Sequence, residues 1–190
     1  MDTKAVRFLP TSIRLRVAER MLRSMKKDAR TKKGVNLRGA SHIILTYTET
    51  DERKFKLVKD IALYLKKEYD IKRVMRFAYI AAEEKAVPAW HMRKLESDFF
   101  CESDLNWYQR PVKNGDSNVN EPYDILIHLD PDESYGLDFF VASSKAKMKV
   151  ANFSKSRPHD FDILIPSDPK DSWKQRNHRI IEFIGDSPLS

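Results

Sequence analysis

The sequence predicts an α/β protein: a three-layer, mainly parallel sheet of Rossmann or flavodoxin type, preceded by a basic amphipathic helix. Three observations predict it. From residue 42 onward, strand-like runs alternate with helix-patterned segments, the order that builds βαβ units. The runs HIIL and DILI are continuously apolar, as strands covered on both faces are. The net charge of +7 is concentrated at one end: residues 1–40 carry twelve Lys and Arg against three acids, leaving residues 41–190 slightly acidic. That asymmetry divides the chain into a basic helical arm and linker (1–40) and an α/β domain (41–190).

Taken in order, residues 11–30 read as a helix. Thr11 or Ser12 is placed to cap it. Ile13, Val17, Met21 and Met25 recur every four residues, and Arg16, Arg20, Arg23, Lys27 and Arg30 form a second, basic face. TKKGVNLRGAS reads as a linker. HIILTYT is a buried-type strand, and the following segment to Asp70 is a helix capped by Thr48 or Thr50 with Phe55, Val58, Ile61, Ala62 and Leu65 inward. IKRVMRFAYI is a second strand. AVPAWHMRKLESD reads as a loop or short helix, and DFFCESDLNW as a short strand and turn. Residues 109–122 are polar and turn-rich, an exposed loop within the domain. YDILIHL is a strand and 133–146 a helix. KMKVANF and FDILIPS are strands, and SWKQRNHRIIEFIG is a final helix stopped by Gly185 and anchored by Trp173, Ile180, Ile181 and Phe183.

Two segments echo each other, YDILIHLDP (123–131) and FDILIPSDP (161–169). Parallel central strands would put Asp130 and Asp168 just past their carboxyl ends, where open α/β sheets bind ligands. Asp130, Asp132 and Glu133 form an acidic group suited to acid/base work or to a hard cation. The same residues suit turn and cap chemistry, with Asp132 just ahead of the 133–146 helix. Asp124 and Asp162 fall at the strand starts, away from that edge.

Other chemistries find little support. There is no GxGxxG or GxxxxGK[ST] run, and the helix after the first strand opens with acids in TETDER, against a phosphate site there. No GxSxG occurs, and Ser143 and Ser144 beside Lys145 and Lys147 read as helix-end residues. His42, His91, His128, His159 and His178 show no metal-ligand spacing, and His128 reads as a satisfied histidine within a strand. Cys101, the single cysteine, reads as a small buried hydrophobe and fits a reducing cytoplasm. Trp90, Trp107 and Tyr108 read as core or rim packing. No catalytic residue, metal ligand or cofactor is assigned. The chain has no spanning run and no apolar secretory leader, so a cytoplasmic setting is expected.

The segments Tyr123–Ile127, Ser144–Val150 and Asp160–Ile165 resemble a family of small, uncharacterised proteins found in Bacteroidota, with a strand, a helix ending in a SKAK-type motif, and a second strand. Ala151 stands where that pattern has glycine. The resemblance implies the α/β fold and a bacterial cytoplasmic setting, and no catalytic residues. Over a shorter stretch the chain is similar to heptosyltransferase-like sugar transferases, at the level of fold alone.

The leading functional expectation is a non-enzymatic binding module that contacts RNA or the ribosome through Arg14, Arg16, Arg20, Arg23, Lys26, Lys27, Arg30, Lys32, Lys33 and Arg38, because phosphates are neutralised by such cations. Alternatives are a small transferase or hydrolase with carboxylates at the sheet edge, a membrane-surface helix anchored by Phe8 and Leu9, and self-association through helix 11–30.

Overall fold

Strand β1 (His42–Glu49) runs through the middle of the sheet, and every residue from Ile43 onward is buried. The computed structural model describes residues 9–25, 30–88, 90–91, 94–112, 116–131, 133–153, 158–168 and 170–186. Five more strands follow: β2 (Arg73–Ile80), β3 (Ser97–Cys101), β4 (Ile125–His128), β5 (Met148–Asn152) and β6 (Ile163–Ile165). Their spatial order is β3-β2-β1-β4-β5-β6, and every pairing is parallel. This is the Rossmann order, so the flavodoxin alternative is set aside.

Helices cover both faces. On one, Ile43, Leu45 and Tyr47 pack against Val58, Ala62 and Leu65 of α2 (Glu52–Tyr69) and against Ile180, Ile181 and Ile184 of α5 (Trp173–Asp186). On the other, Ile44, Phe77 and Leu126 meet Leu137, Phe140 and Val141 of α4 (Tyr135–Ser143). The alternation follows from the two-residue period of a strand. The continuous apolar runs are therefore strands buried on both sides, as read from the sequence.

The N-terminal helix α1 (Thr11–Ser24) lies on α4 as an outer layer. Ala18 and Leu22 contact Phe139, with Met25, Tyr108, Tyr135 and Ala142 around them. The helix stops at Ser24, six residues before the expected Arg30. Its N-cap position is Pro10, with no side-chain cap. The expected linker carries Val35, Leu37 and Ala40 into the core, with a 3₁₀ turn over Leu37–Gly39. Those apolar residues have no period, so the sequence reads as loop while the side chains are buried.

Other boundaries differ for local reasons. Asp51 caps α2, its carboxylate accepting from the Lys54 amide at 2.9 Å, in place of Thr48, which belongs to β1, or Thr50. α2 ends at Asp70 in the left-handed region (φ 55°), a conformation Asp tolerates. Residues 109–122 include a short helix, α3 (Asp116–Asn120), whose Asn118 is buried. Ser134 caps α4, accepting from the Leu137 amide. Gly185 lies inside α5 and does not end it. A Cβ there would overlap Tyr69, so close approach between α2 and α5 explains the glycine.

The echoed motif does one job twice. Asp124 accepts from the Ser41 and His42 amides at the foot of β1 and from Lys147 Nζ at 2.7 Å. Asp162 accepts from the Lys149 amide at the foot of β5 and from Arg30 and Lys32. Each Asp ties its strand to the neighbouring one at the amino end of the sheet. Burial alone would raise both pKa values, yet the cation beside each carboxylate and the amides it accepts hold both below the usual range.

Candidate functional site

Chain direction reverses between β1 and β4: β1 leads through α2 to β2 on one side, and β4 leads through α4 to β5 on the other. Such a switch point opens a crevice beyond the carboxyl ends of the two strands. Here the crevice is a shallow chamber, widely open to solvent, of about 370 Å³ between the start of α2, the turn after β4 and the first turn of α5. Its polar lining is Thr50, Asp51, Arg53, Lys54, Glu133 and Arg176, three cations against two carboxylates, and Leu57 and Trp173 are its apolar part.

Asp130 is the keystone beneath it. The side chain is 1% exposed. One carboxylate oxygen accepts from the Thr48 amide at 2.9 Å and pairs with Lys54 Nζ at 2.9 Å. The other accepts from Trp173 Nε1 at 2.5 Å. The carboxylate thus joins the end of β1, the first turn of α2 and the first turn of α5. With its oxygens engaged and solvent excluded, Asp130 positions the chamber and does not face a ligand.

Glu133 is the carboxylate that does. It is 47% exposed and lies 3.6 Å from Lys54 Nζ. Partial burial first, and the nearby Asp130 charge second, raise its pKa against the opposing pull of Lys54 and Arg176. Arg53 and Arg176 line the same cleft, Arg53 acting on the Asp51 carboxylate and Arg176 on Glu133. Lys54 also lies 5.5 Å from the centroid of the Trp173 ring, fixing the indole from one side.

The expected acidic group is therefore split. Asp130 and Glu133 converge on Lys54, Asp132 lies outside the described residues, and Asp168 stands apart. Asp168 shapes the turn before α5, accepting from the Lys170 amide at 2.8 Å. Lys54, Arg53, Trp173 and Arg176 were not singled out as site residues by the sequence. The available signal was Lys54 in the first turn of the helix after β1, a position that faces the carboxyl edge once β1 is known to be central.

The basic residues expected at a nucleic-acid surface fall into three groups. Arg14, Arg23, Arg30 and Lys32 bind within the chain: Arg14 to the Trp107 carbonyl at 2.7 Å, Arg23 to Glu19, and Arg30 and Lys32 to Asp162. Arg16, Arg20, Lys33 and Arg38 are exposed. Lys26 and Lys27 lie outside the described residues.

Elsewhere at the same edge, His91 and Glu49 form a buried pair flanked by Phe55 and Phe99. Burial pushes the Cys101 thiol up, away from nucleophilic use. His128 is buried, with Nδ1 2.8 Å from Thr46 Oγ1 and its ring stacked on Phe161. Among the described residues no group of three or more His, Cys, Asp or Glu is arranged to hold a metal ion. No helix among them is long and apolar enough to cross a membrane.

Strand order, switch point and crevice define a doubly wound α/β protein of Rossmann topology with an added N-terminal helix. Residues 15–184 match the model of a family of unknown function (DUF6913), and the chain belongs to that family. An uncharacterised family is what the sequence resemblance implied. No curated protein matches the chain in sequence. A solved structure, the glycosyl transferase family 9 protein from Veillonella parvula DSM 2008, is similar at 14% identity and a TM-score of 0.47. The match covers 83% of this chain and 44% of that one, so this chain spans less than half that protein's length.

Proposed function

We propose that the chain binds a small anionic ligand in the switch-point crevice and acts on it as an acid–base enzyme, with Glu133 as the proton-transferring group. The observation that carries this reading is the division of labour between two carboxylates on one lysine. Asp130 is sealed and structural, while Glu133 is open to the chamber beside Lys54. Its pKa is raised, chiefly by partial burial, the direction that favours a general acid. Arg53 and Arg176 supply the charge that holds an anion. The α2 amides do not, because Asp51 already occupies the Lys54 amide. The test is a thermal-shift screen of phosphate, sugar phosphates and nucleoside monophosphates on wild type, Arg176→Ala and Glu133→Gln. Stabilisation of wild type that is lost in Arg176→Ala supports the site. Turnover of the bound compound that is lost in Glu133→Gln supports the chemistry. Equal response in all three proteins overturns both.

The exposure of Arg16, Arg20, Lys33 and Arg38 favours a second reading, contact with RNA or the ribosome. Sedimentation with ribosomes and bulk RNA across a salt series tests it. Binding that falls with salt and is lost when these four residues are replaced by Ser supports it, and none at low salt removes it.

A further inference from the structure

Next to the chamber, a second cavity, a groove of about 240 Å³, lies between α2 and α5. Trp173 and Leu57 line both. The groove is apolar where the chamber is polar: Leu57, Ile61, Tyr64, Trp173 and Ile181 form its walls. Its rim carries Asp60, Lys174 and His178.

Three features give this groove an identity. Trp173 cannot turn aside to close it, because its indole nitrogen is held by Asp130 and its ring by Lys54. Gly185 lets α5 approach Tyr69 of α2 farther along, fixing the spacing of the helices. At about 240 Å³ the groove alone falls below the range of small-molecule sites, about 300–1,000 Å³, so it suits part of a ligand whose remainder lies elsewhere. The groove is thus the apolar end of one cleft whose polar end is the chamber.

We propose that the ligand is amphipathic: an anionic head held by Arg53 and Arg176 beside Glu133, and an aliphatic chain lying past Trp173 in the groove between α2 and α5. This rests on the crevice being a ligand site, as proposed above. It adds the substrate class: a short acyl or alkyl compound bearing a phosphate or carboxylate. The apolar walls gain by removing the chain from water, and the guanidinium groups keep the head at the sheet edge, so the two halves of the cleft select one molecule.

The test is calorimetric titration of the full chain with inorganic phosphate and with butyl, hexyl and octyl phosphate below their micellar concentrations. The Trp173 indole N–H resonance is followed in parallel. Affinity is expected to rise by roughly fourfold per buried methylene until the groove is filled, with the indole signal shifting on binding. Tyr64→Glu places a charge at an exposed position on the groove wall. It should abolish the chain-length dependence and leave phosphate binding unchanged. Arg176→Ala should weaken the whole series. Phosphate binding with no dependence on chain length overturns the amphipathic ligand and leaves the crevice reading standing. No binding by any member overturns both. Chain-length dependence that survives Tyr64→Glu marks general detergent-like adsorption and also overturns the proposal.

Discussion

Arg30 grips Asp162 across 132 positions of sequence, its Nη2 lying 2.7 and 2.6 Å from the two carboxylate oxygens. Its Nη1 donates to the carbonyls of Ala146 and Lys147, both at 2.9 Å. The side chains are only 10% and 18% exposed. A residue that reads as the end of a nucleic-acid stripe is a clamp joining the N-terminal segment to β5 and β6. Arg30→Ala should cost on the order of 2–3 kcal/mol, because it removes a partly buried charge-assisted pair from Asp162, which keeps the Lys149 amide and Lys32, and one donor from each of two carbonyls. Urea denaturation measures it. A loss under about 0.5 kcal/mol, the size of an exposed pair, would mean that the clamp is not formed in solution.

The same clamp predicts a pH dependence. The native pKa of Asp162 is lowered, so the folded state favours the ionised carboxylate. Its contribution is fully present above the unfolded value of about 3.9 and is lost as pH falls through the lower native value. The stability gap between wild type and Asp162→Asn should therefore be constant from pH 7 to about pH 5 and narrow below about pH 4. A gap that widens on acidification contradicts the assignment.

Glu133 has the opposite sign. A raised native pKa gives a contribution present below the unfolded value of about 4.3 and lost as pH rises through the native one. Above the native value that contribution is gone and folding opposes the charge, so at pH 7 Glu133→Gln should leave stability unchanged or raise it by about a few tenths of a kcal/mol, the small size reflecting solvent screening. Chemical denaturation at pH 7 and pH 4 checks it. Marked destabilisation at pH 7 would make Glu133 a structural residue.

Asp130 should behave otherwise. Asp130→Ala leaves the buried Thr48 amide and the Trp173 indole without their acceptor, and the Lys54 ammonium with Glu133 alone at 3.6 Å. A cost of about 3 kcal/mol follows from the loss of a buried charged acceptor. The Trp173 indole N–H resonance should move upfield at the same time. Unchanged stability with an unchanged indole signal would remove the keystone role.

Two glycines separate propensity from packing. Replacing a helical Gly by Ala gains about 1 kcal/mol of propensity. At Gly136 a Cβ would stand 2.7 Å from Cε2 of the fully buried Phe100, which has nowhere to go, so overpacking of about 1–3 kcal/mol should win and Gly136→Ala should destabilise. At Gly185 the obstacle is the end of the half-buried Tyr69 side chain, which packs edge-on against exposed Tyr64 and not in the fully buried core. Gly185→Ala should cost less than Gly136→Ala. Thermal melts of the two variants decide the order.

Much of the fold was legible because buried parallel strands write themselves as apolar runs, as Ile43–Leu45 and Ile125–Ile127 do. Strand order was not, since the neighbours of β1 lie far away in sequence at 73–80 and 125–128. The caps were misread because several Ser, Thr and Asp residues compete within one turn, and only backbone geometry chooses Asp51 over Thr50. At the site, Asp130 and Glu133 were visible within an acidic group with Asp132, but their separation into a sealed and an open carboxylate depends on Lys54 and Trp173. Trp173 reads as an apolar anchor. Its indole nitrogen becomes informative only when Asp130 is seen beneath it.

The central place of β1 has a consequence for a chain made from its N-terminus. Once residue 101 has emerged, β1, β2 and β3 can assemble along one edge of β1. The other edge, Ile43–Thr46, has no partner until Ile125–His128 arrives. Arg30, too, must wait for residues 146, 147 and 162. Through that interval the nascent protein presents an open, apolar strand edge, the feature other chains pair with most readily. A fragment that stops short of residue 125 is therefore prone to aggregate, while in the finished chain that edge is covered.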